Sequence, residues 1–262
     1  MAMLIDVAGD FIWNLLRFGA FLMVVPIFGN QLIPGRVRLL LAVGVSFALT
    51  PVAGGAPPME QWGLDSMGML VTQMAMGVGL GFAAVIFFHL FVIAGQFIGM
   101  QMGLGFAAMV DPGNGIQVTV WSQFFLMLVT LSFLSLNGHL VLLEVLTHGY
   151  RLYPQMSTFS VSELLWRVGT LGGWMFIGGV LLALPAVISL LIVNLAFGVM
   201  NRSAPALNVF SLGFPFSLLF GLLIIWFLLT NWGDQFLRLT TEFLEITDNF
   251  FVADAPMVGN IR

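Results

Sequence analysis

Asn137, Glu144, His148 and Arg151 fall at offsets of 0, 7, 11 and 14 and so share one face of a helix. Glu144 and His148 stand four residues apart and can pair directly. An acidic group at the centre of a bilayer costs about 2.5–3.5 kcal/mol on insertion scales, and pairing or burial in protein lowers that cost. Two readings follow. The stripe is a proton-responsive site inside a membrane, or it is a helix end emerging among headgroups with Arg151 as its anchor. His139 lies off the stripe and His89 stands apart, and both are expected as helix-contact residues rather than ligands.

Other chemistries lack their residues. The chain contains no Cys, which excludes disulfides, thiolate metal sites and cysteine nucleophiles. It has no Gly-x-Ser-x-Gly, no His-Glu-x-x-His and no Gly-Lys-Ser/Thr element. Its glycine-rich stretches sit in apolar runs with no following Lys or Thr, so they cradle no nucleotide. Neither an enzyme nor a metal or cofactor site is expected.

The elements that must hold any such site are apolar. The chain is 60% hydrophobic and 8% charged, with mean hydropathy +1.04. Soluble domains carry about 25% charged residues, so the fold class expected is an all-α, polytopic helical membrane protein. The apolar runs are continuous, unlike the alternating ten-residue strands of a barrel. The net charge of −4 offers no basic patch, so no nucleic-acid partner is expected. Asp6 and Asp10 stand where a signal peptide would carry basic residues, so the first apolar segment is expected to be retained.

Six apolar segments are expected, at Phe11–Phe28, Leu39–Ala53, Met67–Ala94, Val120–Thr147, Leu171–Met200 and Leu207–Trp232. Leu39–Ala53 would reach only about 22 Å as a helix, short of the roughly 30 Å hydrocarbon layer. Met67–Ala94 is too long unless tilted or kinked. Such lengths favour kinked hairpins sheltered in a larger complex. Residues 233–262 form a polar tail whose interspersed Phe236, Leu237, Leu239, Phe243 and Leu244 predict an amphipathic helix on a surface or on a partner. Arg36 and Arg38 would place the first loop in the cytoplasm, but Arg151 and Arg167 then contradict the same rule, so orientation stays open.

From Ser66 to Val110 the chain runs 45 residues without Asp, Glu, Lys or Arg. One helix of that length would be more than twice the thickness of the hydrocarbon layer, so the stretch must bend, fold back or leave the helix in apolar surroundings. Non-helical backbone at membrane depth survives only against protein or along a water-filled path. Phe106, Ala107, Ala108, Met109 and Val110 lead into the turn Asp111-Pro112-Gly113-Asn114-Gly115, so a greasy segment runs into a tight turn. The same residues also fit a plain turn at the membrane surface. Gly77 and Gly81 are four apart, as are Gly95, Gly99 and Gly103, a spacing for close helix packing or a hinge. Seven of the sixteen Met lie between Met67 and Met109, suited to ordinary packing or to a deformable constriction.

Four stretches carry a resemblance to the FliR/SpaR family of type III export gate membrane proteins. They are Pro26-Ile27-Phe28 with Pro34-Gly35-Arg36-Val37-Arg38; Gly95-Gln96-Phe97-Ile98-Gly99-Met100-Gln101-Met102-Gly103-Leu104 running into Asp111-Pro112; Asn137-Gly138-His139; and Asn201-Arg202 with Ala204-Pro205 and Asn208 through Pro215. The resemblance implies one export-gate membrane domain over residues 1–262, a FliP-like part joined to a FliQ-like part. It implies FliP and FliQ as partners in a pore passing unfolded flagellar subunits, with FlhB wrapped around the outside. It also implies that Phe106–Gly115 is the plug closing that pore, and that the protein sits in the bacterial inner membrane within the flagellar basal body. Against this stands a self-contained proton- or ion-coupled secondary transporter using Glu144 and His148, for which matched helix breaks in two repeats would be expected. The clear break is at Gly95–Gly115, with Pro185 a weak counterpart. A passive scaffold without pore contact is the third reading.

Overall fold

The computed structural model describes residues 2–29, 33–51, 64–105, 119–152, 160–203, 209–248 and 250, and among them every regular element is a helix. In chain order these are α1 (Ala2–Val24), α2 (Gly35–Leu49), α3 (Leu64–Gln101), α4 (Val120–Ser135), α5 (Gly138–Leu152), α6 (Val161–Ser203), α7 (Val209–Thr230) and α8 (Trp232–Asp248). The fold is the polytopic helical membrane architecture that composition implies. Among the described residues four helices are long and apolar enough to cross a bilayer, through windows at Val7–Val24, Met67–Gln101, Val161–Met200 and Gly213–Thr230. α4 and α5 together make a fifth candidate span, bent by 68° at their junction. α2, at 15 residues, stays below spanning length as its sequence predicts.

The fourth apolar segment is therefore two helices, not one. Asn137 takes φ +55° between them, and the residue after it is glycine. Asn tolerates the left-handed region because its short amide bonds locally. Its N–H donates to the Leu134 carbonyl, while its own carbonyl accepts from Leu140 and Val141 N–H, so one residue ends α4 and starts α5. Asn137 consequently leaves the helical face that the spacing assigned to it.

α3 also departs from expectation. It runs 38 residues without interruption to Gln101, beyond the Ala94 limit, for about 57 Å of helix. The termination is a glycine cap. Gly103 has φ +83°, its N–H donates to Met100 O, and Leu104 N–H donates to Gly99 O, each at 3.0 Å. Those two bonds close the Schellman arrangement, in which only glycine takes the left-handed position without strain.

The chain forms two compact units. The first comprises residues 1–87, 133–173 and 242–262, the second 88–132 and 174–241. In the first, Phe87 stacks on Phe243 at 4.7 Å between ring centres and lies 5.7 Å from Phe133. In the second, Trp232 lies 5.4 Å from Phe91 and 5.8 Å from Phe125, and its indole N–H donates to Ser132 Oγ at 3.1 Å. The amphipathic tail helix thus buries its apolar stripe (Phe236, Leu239, Phe243) within its own chain, while Leu237 stays exposed. Burial of the spanning windows is uneven. α3 is 67% buried, but α6 and α7 are only 28% and 22% buried, so their apolar faces need lipid or protein around them.

Candidate functional site: the base of the 106–118 segment

The turn Phe106, Ala107, Ala108, Met109, Val110, Asp111, Pro112, Gly113, Asn114, Gly115 lies outside the described residues. Its base is described on both sides, and the second unit holds it. The departing arm is the end of α3, and the returning arm is Thr119 with the first turn of α4.

The returning arm is seated on α3 through two glycines. A Cβ at Gly95 would lie 2.7 Å from Ser122 Cα, Ser122 N and Trp121 C, so α4 backbone occupies the room a side chain would need. At Gly99 the occupant is the Thr119 side chain, 2.6–2.8 Å from the same virtual position. The spacing of four therefore places both missing side chains under one neighbour, and neither glycine breaks the helix. Polar groups fasten the contact. Gln96 Oε1 accepts from Thr119 N–H at 2.9 Å and from Ser122 Oγ at 3.0 Å, and Thr119 Oγ1 donates to the Gly95 carbonyl at 3.2 Å. Thr119 also caps α4, its Oγ1 accepting from Ser122 N–H at 3.3 Å.

The departing arm is seated on α6 and α7. Met102 is 1% exposed and fills the space left by Gly221 on α7, while Phe214 approaches Gly103, with its Cδ2 3.1 Å from a Cβ placed there. Asn194 Nδ2 on α6 donates to the Gln101 carbonyl at 3.1 Å, and Ser217 Oγ on α7 donates to Asn194 Oδ1 at 2.8 Å. Residues 90–105 and 119–132 contain no Asp, Glu, Lys, Arg or His, so the hydrogen bonds of the base act in apolar surroundings.

The remaining predicted residues lie in the first unit. Gly77 is pressed against the Arg17 carbonyl and the Phe21 backbone nitrogen, and Gly81 against Val24 and the Phe21 carbonyl. Both pack α3 on α1. Glu144 and His148 do not form a closed couple in the core. They line an open cavity of about 620 Å³ with Val141, Val145, Thr147, Leu244, Glu245 and Asp248. His148 Nδ1 lies 3.4 Å from Asp248 Oδ1, with both side chains about half exposed. His139 Nδ1 is buried without a hydrogen-bond partner among the described residues. Asn137 sits at the α4–α5 break and is exposed. No group of three or more His, Cys, Asp or Glu among the described residues could hold a metal ion.

Sequence reasoning passed over several of the residues that shape these units. Arg17 is fully buried, its Nε donating to Gln73 Oε1 at 2.6 Å and thereby tying α1 to α3. A lone Arg in an apolar run is a visible signal, since buried charge needs partners. Asn194 and Ser217 were equally visible as polar residues in apolar windows. Gly221 carried no local mark.

The family model for bacterial export proteins, family 1, matches residues 8–243. Flagellar biosynthetic protein FliR of Escherichia coli (strain K12) is 35% identical over 212 residues, covering 81% of each chain. The protein of the same description from Pectobacterium carotovorum subsp. carotovorum is 32% identical over 229 residues, 86% of each. That of Aquifex aeolicus (strain VF5) is 32% identical over 210 residues, covering 80% of this chain and 81% of its own.

Proposed function

The chain belongs to the bacterial export proteins, family 1, and from that premise we propose that it is a noncatalytic pore subunit of the flagellar type III protein export gate. Membership makes it a membrane component of the flagellar export apparatus. The finer reading is that it assembles with FliP and FliQ around a channel for unfolded flagellar subunits. FlhB lies against the outside, and the assembly stands in the inner membrane at the basal body. Phe106–Gly115 is the plug.

The observation that carries this reading is the built base of the 106–118 segment. The thirteen residues between Gly105 and Thr119 are flanked by two arms, both fastened by glycine contacts and part-buried hydrogen bonds. A segment anchored at both ends and apolar in its first half suits a closure that excludes water, as hydrophobic constrictions do. The exposed apolar faces of α6 and α7 and the short α2 fit a subunit surrounded by protein as well as lipid. No step of transport requires chemistry from this chain, and the energy is supplied elsewhere.

Deleting Met109–Gly115 tests the proposal. The expected result is an assembled gate that leaks ions in the absence of substrate, measured as collapse of the membrane potential in cells. Assembly and export at normal levels with unchanged conductance would remove the plug from the proposal.

A further inference from the structure

Three helices of the first unit bring polar side chains together in its interior. They are Trp13, Asn14 and Arg17 on α1, Ser46 on α2 with its cap residue Thr50, and Gln73 on α3. Trp13 is 1% exposed, and Asn14, Arg17, Ser46 and Gln73 are fully buried. Trp13 and Asn14 stand four and three residues before Arg17, so all three share a face of α1. From that face Arg17 Nε donates to Gln73 Oε1 at 2.6 Å, and Asn14 Nδ2 donates to Thr50 Oγ1 at 3.4 Å. The helices are close here. Gly77 lies against the Arg17 carbonyl, and Gly81 against Val24, so α1 and α3 run in the same direction with Gln73 one turn before that contact. Trp13 and Gln73 both fall inside spanning windows, Val7–Val24 and Met67–Gln101.

Two donors in this cluster have no acceptor among the described residues. Arg17 Nε only donates, so the oxygen of the Gln73 amide must face it and Gln73 Nε2 is left with two protons. Gln73 Nε2 and Trp13 Nε1 are both buried without a hydrogen-bond partner. The indole nitrogen is a donor only, fixed in a rigid ring, and the Gln73 amide is pinned by Arg17, so neither can turn to its own helix for an acceptor. Ser46 Oγ is also buried without a partner, but a serine hydroxyl can rotate to a carbonyl one turn back, so it decides less. A buried donor left unsatisfied costs about 1–3 kcal/mol, and native interiors rarely carry two side by side. The missing acceptor must be small, because the helices meet at glycine distance. Arg17 already faces two oxygens, Gln73 Oε1 and the Leu146 carbonyl at 3.5 Å. An anion would have to give up its hydration to sit beside them, whereas a neutral water would not.

We propose that Gln73 Nε2 and Trp13 Nε1 hold ordered water inside the first unit, making the α1–α3 contact beside Arg17 a built water site. Buried water of this kind typically makes about three hydrogen bonds to polar groups that would otherwise go unsatisfied. It gives a charged side chain in an apolar span a polar neighbourhood beyond its direct partners, which lowers the cost of carrying it there. The site is independent of the plug.

The test is a density map of the full chain in its native assembly, at a resolution where ordered waters are visible, for the unaltered protein and for Gln73→Met. The unaltered protein is expected to show water within about 3.2 Å of Gln73 Nε2 and of Trp13 Nε1. Gln73→Met keeps the volume without the amide and is expected to lose the peak beside residue 73. A map that shows ordered water elsewhere in the assembly and none within reach of either nitrogen overturns the proposal. A peak that stays unchanged in Gln73→Met overturns the role of Gln73. Should Gln73→Met fail to assemble, the map of the unaltered protein decides alone. Heating midpoints in chloride and in gluconate separate water from an anion, and equal midpoints are expected. A chloride-dependent rise that Gln73→Met abolishes would identify a bound anion and overturn the assignment of water.

Discussion

A single methyl group at Gly95 or at Gly99 separates two kinds of contact. At Gly95 the methyl carbon would sit 2.7 Å from Ser122 Cα, Ser122 N and Trp121 C, all of which are backbone. Carbon contacts are comfortable at about 3.5 Å, so the first turn of α4 must retreat by roughly 0.8 Å. Overpacking of this kind costs about 1–3 kcal/mol, against which Ala recovers about 0.5–1 kcal/mol of helix preference over Gly. The net loss expected for Gly95→Ala is about 1–2 kcal/mol. It should be insensitive to Ser122→Gly, because the obstructing atoms remain. At Gly99 the methyl would meet Thr119 Oγ1, Cβ and Cγ2 at 2.6, 2.7 and 2.8 Å, and all three vanish in Thr119→Gly. Gly is itself tolerated at a helix N-cap at a few tenths of a kcal/mol. The double substitution Gly99→Ala/Thr119→Gly should therefore recover about 1 kcal/mol or more relative to the sum of its singles. The assay is the fraction of gate surviving graded heating in mild detergent, read for the four singles and two doubles. If Ser122→Gly rescues Gly95→Ala as fully as Thr119→Gly rescues Gly99→Ala, the contact assignment is wrong. Alanine at either position without effect would refute the close seating of α4 on α3.

Arg17→Leu removes the donor to Gln73 Oε1 in a fully buried setting and is expected to cost the first unit about 1–3 kcal/mol. Heating of the detergent-extracted gate measures this, and an unchanged midpoint would show that the α1–α3 tie contributes nothing. Asp248→Asn breaks the His148 pair where both groups are about half exposed. A loss below about 1 kcal/mol is expected, shrinking further in high salt. A larger, salt-insensitive loss would mean that the pair is far better shielded than its exposure indicates.

The apolar segments were legible because composition and charge spacing depend on the chain alone. Their ends were harder. The spacing of Gly95 and Gly99 reads as close helix packing or a hinge, with a helix break beginning at Gly95, yet the helix continues through both. The local cost of about 1 kcal/mol per glycine is outweighed by seating α4 against them. Conversely, Asn137-Gly138 carried a turn signal inside an apolar run, and the turn prevailed, splitting a span that length alone joined. The tail helix showed its apolar face by periodicity, but periodicity names no occupant. Rings such as Phe87 and Phe91, over 140 residues away in sequence, supply it. The base of the 106–118 segment was half visible. The glycine spacing marked the seat of the returning arm, whereas Asn194, Ser217 and Gly221 depend on which distant helix folds against Gln101 and Met102.

The interleaving of the two compact units in sequence bears on biosynthesis. Each unit draws its last portion from α8, the first ending at residues 242–262 and the second at 174–241. Every upstream helix is synthesised before either unit can close. Until Trp232, Phe236 and Phe243 are translated, Phe91 and Phe87 lack ring partners that they have in the finished protein. A stop codon anywhere between residue 88 and α8 therefore leaves both units unfinished, rather than one intact and one lost.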